Sequence, residues 1–253
     1  MAAGRILLAA ALLGFGLENI LFGRYIVARV APWPGDPSVR FVVACATGAL
    51  FLVSGAALLS KRFIRPAALA SAALIFGWSM WRHLPVAVAG PAWSGHWTNV
   101  LKAATLAAGC IGVAASHGGQ AGPVLRALRV CAPYAAGAFF LLGGIQHFMF
   151  TTFVATLIPP FIPGALFWTY VSGVLLIGAG LGFWIPAARP RIAPLAALMV
   201  FSWVFLVHVP LVFRVGRAEW MGVFEALGIS GVCLAVAAGR EPVSREVDRP
   251  ART

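Results

Sequence analysis

Eight stretches of about 20 mainly apolar residues, each long enough to cross a bilayer as a helix, constrain this chain more than any other feature. They run roughly over 6–29, 40–60, 65–86, 97–116, 129–158, 165–185, 192–212 and 219–239. The first follows Arg5 and so resembles a signal-peptide core. It continues through Gly16 to Ile26 with no clean small-residue cleavage site after it, and is read as a retained helix. Composition agrees: 61% of residues are apolar, 10% are charged and mean hydropathy is +0.91. Soluble domains are about half apolar and a quarter charged, so a water-soluble globule is excluded. The expectation is an all-α polytopic membrane protein.

The formal charge of +12, from 19 basic and 7 acidic residues, would suit a nucleic-acid partner if it formed a patch. It does not; the charges are spread thinly beside apolar runs, where they fix orientation against a lipid surface. Eight spans put both termini on one side, with the loops after spans two, four and six. That side carries 12 of the 19 basic residues, and the other holds Arg24, Arg29, Arg40, Arg82, Lys102, Arg214 and Arg217. Both termini are therefore expected in the cytoplasm, with the chain in the cell's inner membrane. The stretch 240–253 mixes both signs with two prolines and reads as a disordered cytoplasmic tail.

Self-comparison reveals a repeat. Gly16-Leu-Glu-Asn-Ile-Leu-Phe22 aligns with Gly144-Ile-Gln-His-Phe-Met-Phe150 at a shift of 128. A shift of 125 then pairs Gly48 with Gly173, Gly55 with Gly180, Trp78 with Trp203, His83 with His208 and Pro85 with Pro210. Near the end a shift of 123 pairs Trp97 with Trp220, Lys102 with Glu225 and Cys110 with Cys233. The chain reads as two tandem four-helix units, 1–122 and 123–239, followed by the tail. An even number of spans gives both units one orientation, related by a pseudo-twofold axis along the membrane normal.

The second unit resembles the DoxX-like family of small four-helix membrane proteins. The residues that carry the resemblance are Gly144-Ile-Gln-His147-Phe148, the Pro159-Pro160-Phe-Ile-Pro163-Gly164 turn, Phe167-Trp168-Thr-Tyr170 leading to Gly173, and His208-Val-Pro210. The first unit keeps a weaker version through Gly16, Gly48, Gly55, His83 and Pro85. It departs in having Asn19 where the second has His147, and neither Gly48 nor Gly173 is followed by the family's frequent Glu. The resemblance implies a four-helix unit. The family's naming after a quinol oxidase subunit and a thiosulfate:quinone reductase implies a redox- or quinone-linked role.

Ionisable groups inside the bilayer cost roughly 2.5–3.5 kcal/mol on insertion scales and so mark function by default. Here Glu18, Asn19, Arg82, His83, Gln146, His147 and His208 all fall in the outer half of the expected topology, as do Lys102 and Glu225, candidates for an ion pair. Each has a plainer explanation. His83 and His208 precede prolines and can satisfy freed carbonyls; Glu18 can pair with Arg82 or Arg24. Trp78 and Trp203 can wall a slot or simply pack, whereas Trp93, Trp97 and Trp220 suit an interfacial belt. A quinone needs such an apolar slot with a donor at each carbonyl. A haem or metal is disfavoured: no helix carries two histidines at i, i+4, and there is no Cys-x-x-Cys-His. Cys45, Cys110, Cys131 and Cys233 are isolated and read as small core residues.

The leading expectation is a DoxX-like component of a redox or quinone-linked membrane system, working with a redox partner protein. The alternative is a binder or transporter of a lipid or hydrophobic solute, or a scaffold for a partner. No helix pair is visibly broken at matching places in the two halves, which counts against transport.

Overall fold

The computed structural model describes residues 2–23, 35–92, 94–117 and 121–238. The predicted tail, Arg24, Arg29 and Trp93 lie outside them. The described residues are helical, with no strand among them: α1 Ala2–Phe22, α2 Pro37–Leu59, α3 Ile64–Trp78, α4 Leu84–Ala89, α5 Ser94–Ala115, α6 Pro123–Arg129, α7 Cys131–Met149, α8 Thr151–Leu157, α9 Ala165–Trp184, α10 Arg189–Trp203, α11 Val209–Val215 and α12 Trp220–Ala238.

Seven helical runs are long and apolar enough to cross a membrane: Ala2–Phe22, Pro37–Leu59, Ser94–Ala115, Pro123–Met149, Ala165–Trp184, Arg189–Val215 and Arg217–Ala238. The chain is thus a multi-pass helical membrane protein. The expected third span is also one continuous helical run, from Ile64 to Ala89, but is not among the seven. Arg65, Arg82 and His83 dilute its apolar content, and it packs between α2 and α5. The expected span 129–158 ends early, at Met149, and Phe150 turns the chain into the separate helix α8.

The packing is the same in each half. α1 lies against α2 as α7 lies against α9, and α3 meets α5 as α10 meets α12. The halves interlock, because the first helix of each packs on the last helix of the other, α1 on α12 and α7 on α5. α5 and α12 meet in the middle. Close approach relies on small residues. A Cβ on Gly16 would stand 2.7 Å from the Gly48 carbonyl oxygen, and one on Gly144 would stand 2.8 Å from that of Gly173. Interfaces of this kind, built on small residues, are how helices associate where no water drives them together.

The two halves share one departure from regular helix. A π turn, Ser79–His83, joins α3 to α4, and a second, Val204–His208, joins α10 to α11. They sit at the same repeat positions, each just ahead of a proline, Pro85 or Pro210. A proline ring clashes with the carbonyl four residues back, here Trp81 or Leu206, and a widened turn sets that carbonyl aside. Both runs stay helical throughout, so these are matched wide turns and not breaks.

Candidate functional site

Four of the expected polar residues, Glu18, His83, Lys102 and Glu225, come from α1, the end of the first π turn, α5 and α12 and are linked by charge. Lys102 Nζ donates to Glu225 Oε2 at 2.7 Å and to Asn99 Oδ1 at 3.4 Å. Both charged side chains are about four-fifths buried, at 19% and 24% exposure. Glu18 comes from α1, is 4% exposed, and lies within electrostatic reach of Glu225. Neither of its carboxyl oxygens has a hydrogen-bond partner among the described residues. His83 ends the first π turn, within electrostatic reach of Lys102, Glu225 and Arg82, and its Nδ1 is buried and unpaired. Ser79, which opens that turn, buries an unpaired hydroxyl.

Lys102 and Glu225 meet here because they are repeat equivalents on the two helices that cross at the centre of the molecule. Two turns further along, Gly109 faces its equivalent Val232, so closely that a Cβ on Gly109 would press into the Val232 side chain. Complementary pairs, cation with anion and hydrogen with isopropyl, have replaced the like-with-like contacts a strict repeat would force.

The other candidates fall into separate contacts. Gln146, the equivalent of Glu18, accepts from Thr98 Oγ1 at 2.8 Å and donates to Ser94 Oγ at 2.9 Å, bridging α7 to the start of α5. His147 belongs to the contact of α7 with α9, where its Cβ abuts Gly173; its Nδ1 lies 2.7 Å from the Gly143 carbonyl oxygen of its own helix. Asn19, its equivalent, is buried with its Cβ against Gly48. His208 leans on α12 over Gly222, where a Cβ would come within 2.7 Å of its Nδ1. Trp78 meets Trp81 edge to face at 5.8 Å, and Trp203 is half-buried against the core. Trp220 stacks on Phe224 at 6.0 Å. The sequence reading did not single out Ser94, Thr98, Asn99 or Ser79. Ser94 and Thr98 carried a signal, two hydroxyls at i, i+4 opening a helix.

Among the described residues no group of three His, Cys, Asp or Glu side chains could hold a metal ion. Cys110 and Cys233 are fully buried free thiols, and Cys45 and Cys131 are free as well. One cavity of about 290 Å³ lies outside the cluster, between the Pro159–Pro160 turn and the segment Pro210 to Arg214, whose guanidinium donates to the Thr156 carbonyl.

Fold and site together define an integral helical membrane protein with a buried ionisable cluster between its halves. A family model described as a domain of unknown function, DUF8561, matches residues 136–237, from within α7 to near the end of α12. No curated protein and no solved structure matches the chain.

Proposed function

We propose that the cluster of Glu18, His83, Lys102 and Glu225 is the working centre of a DoxX-like inner-membrane protein. It hydrogen-bonds a hydrophobic ligand of the quinone class in the outer half of the bilayer, as part of a redox-linked system. The observation that carries this reading is Glu18, a buried carboxyl with neither oxygen paired among the described residues; the buried Nδ1 of His83, likewise unpaired, also lies within electrostatic reach of Glu225. Buried polar groups are nearly always satisfied, so two orphans around one carboxylate call for a functional account. A protonated Glu18 and an Nδ1–H tautomer of His83 are two donors, which is what a pair of ring carbonyls requires. The Lys102–Glu225 pair supplies fixed charge beside them.

The experiment is extraction of small molecules from the protein purified in mild detergent, with a scan for quinone absorbance. The expected result is a quinone that co-purifies with the wild type and is lost from Glu18→Gln and His83→Gln. Absence of quinone from a folded wild type, or equal retention in both variants, overturns the reading.

The paired π turns favour a second reading, a carrier of a hydrophobic solute. Single π turns inside helices are frequent at functional sites, and here they recur at matching places in the two halves. Accumulation of a labelled hydrophobic solute in proteoliposomes, lost when Pro85 and Pro210 are both replaced by Ala, would favour it over a static binder.

A further inference from the structure

At the end of the molecule where α5 and α12 finish and α7 begins, a cavity of about 330 Å³ opens between the halves. Its polar rim is Arg126, Arg129 and Arg189, with the hydroxyl-bearing Ser116; its floor is apolar, formed by small residues of α5, α7 and α12. None of its described lining residues is acidic. The three guanidiniums come from separate places, two from α6 and one from the start of α10.

Two of them are held in position by the backbone. Arg126 Nη1 donates to the Ala121 carbonyl oxygen at 2.9 Å, and Arg189 Nε to that of Phe183 at 3.0 Å, while Arg189 also lies over the Tyr134 ring. Each bond uses one nitrogen of a five-donor group and orients the rest. Arg129, half-buried between them, makes no hydrogen bond to the described residues. The hollow beneath exists because position 112 carries no side chain: a Cβ on Gly112 would meet nothing within 4 Å.

The guanidinium fork matches phosphate oxygens two at a time, and three such groups line one hollow. The apolar floor gives no partner to a fully hydrated ion but suits the glycerol and first acyl carbons of a lipid. We infer that this cavity binds the phosphate headgroup of an anionic phospholipid, its acyl chains leaving between the helices. Basic pockets between membrane helices at the level of the headgroups are the expected form of such sites. The chemistry is independent of the quinone reading, since the cavity and the ionisable cluster share no residue.

The test uses the full chain in mild detergent, with native mass spectrometry after incubation with equal amounts of phosphatidylglycerol and phosphatidylcholine. The expected result is selective retention of phosphatidylglycerol. Arg129→Gln removes a cation that holds no helix end, and Gly112→Leu fills the hollow without touching charge. Each is expected to cut retention by about tenfold, the loss of roughly one charge-assisted contact, with melting temperatures showing that both variants fold. Equal retention of the two lipids, or full retention in Gly112→Leu, would overturn the proposal, the latter reducing the arginines to a diffuse surface attraction. Inorganic phosphate at millimolar concentration is expected to leave the lipid bound; displacement by it would show a site for the free ion instead.

Discussion

Lys102 and Glu225 are the same position of the repeat, one in each half, and they form the ion pair that joins the halves. The two side chains face each other where α5 packs on α12, so a charge on one helix calls for its opposite on the other. Removing one partner leaves a largely buried charge with nothing to balance it. Lys102→Met is therefore expected to cost about 2 kcal/mol, less than the 3–5 of fully buried pairs because both side chains keep some exposure. Lys102→Met with Glu225→Met should recover most of that loss, and the exchange Lys102→Glu with Glu225→Lys should retain the pairing. Unfolding in mixed micelles by denaturant measures all three, and an additive double mutant would show that the two residues do not interact.

Glu18 and Gln146 are also equivalents, with opposite fates. Gln146 faces Ser94 and Thr98, which complete its amide; the corresponding places in the other half are Arg217, in the short turn ahead of α12, whose guanidinium lies 5.0 Å from the Phe22 ring centroid, and Met221 on α12. Glu18 thus has burial without partners. Glu18→Met, similar in volume and free of polar atoms, is expected to raise stability by about 1–2 kcal/mol while abolishing ligand retention. Thr98→Val goes the other way, leaving the Gln146 carbonyl short of a donor and costing about 1–3 kcal/mol. Denaturant midpoints compare the two, and a destabilised Glu18→Met would show that the carboxyl is satisfied in the membrane.

The helices were readable because length and apolarity alone define a span, and the interlocking of the halves was foreshadowed by the repeat. Lys102 and Glu225 could be paired from their equivalence because a pseudo-axis turns sequence correspondence into spatial contact. What could not be read was local. The π turns depend on how a proline ring meets a carbonyl four residues back, and no residue pattern marks that beyond Pro85 and Pro210 themselves. The membership of the cluster was equally hidden. Glu18, His83 and Lys102 lie in one half of the chain and Glu225 in the other. Only the packing of α1 on α12 decides that Glu18 joins Glu225, while Gln146 bridges to α5 and His147 faces α9.

Outside the bilayer, Asp36 caps α2, accepting from the backbone N–H groups of Ser38 at 2.8 Å and Val39 at 3.2 Å, with Pro37 opening the helix. Those two bonds hold its carboxyl below the ordinary value of 3.8. A group whose folded value is depressed contributes stability above its unfolded value and loses it as pH falls through the folded one. The contribution is thus complete above about pH 5 and fades as the carboxylate is protonated below about pH 4. Asp36→Asn keeps an acceptor for the cap but removes the charge. Its melting temperature is expected to be less sensitive to acid than the wild type over that window, with Asp36→Ala lower than both at neutral pH. Identical acid profiles for wild type and Asp36→Asn would exclude the cap as the titrating element.

Glycine supplies the sharpest contrast between packing and propensity. Gly16 and Gly144 lie at equivalent crossings, where an added Cβ would press on a backbone carbonyl at 2.7 and 2.8 Å, distances that flexible side chains cannot relieve. Gly77 lies within α3, and a Cβ there would meet nothing within 4 Å. Alanine at position 16 or 144 must push two helices apart and is expected to cost about 1–3 kcal/mol. Alanine at position 77 relieves only the entropy of a helical glycine and is expected to gain about 0.5–1 kcal/mol. The equivalence adds a further expectation: the two crossings lie in different halves and share no partner, so Gly16→Ala and Gly144→Ala should add. Thermal unfolding of the two single variants and the double variant, with Gly77→Ala beside them, reads all of this. A neutral Gly16→Ala would mean that α1 and α2 stand further apart in the membrane than the crossing of Gly16 on Gly48 requires.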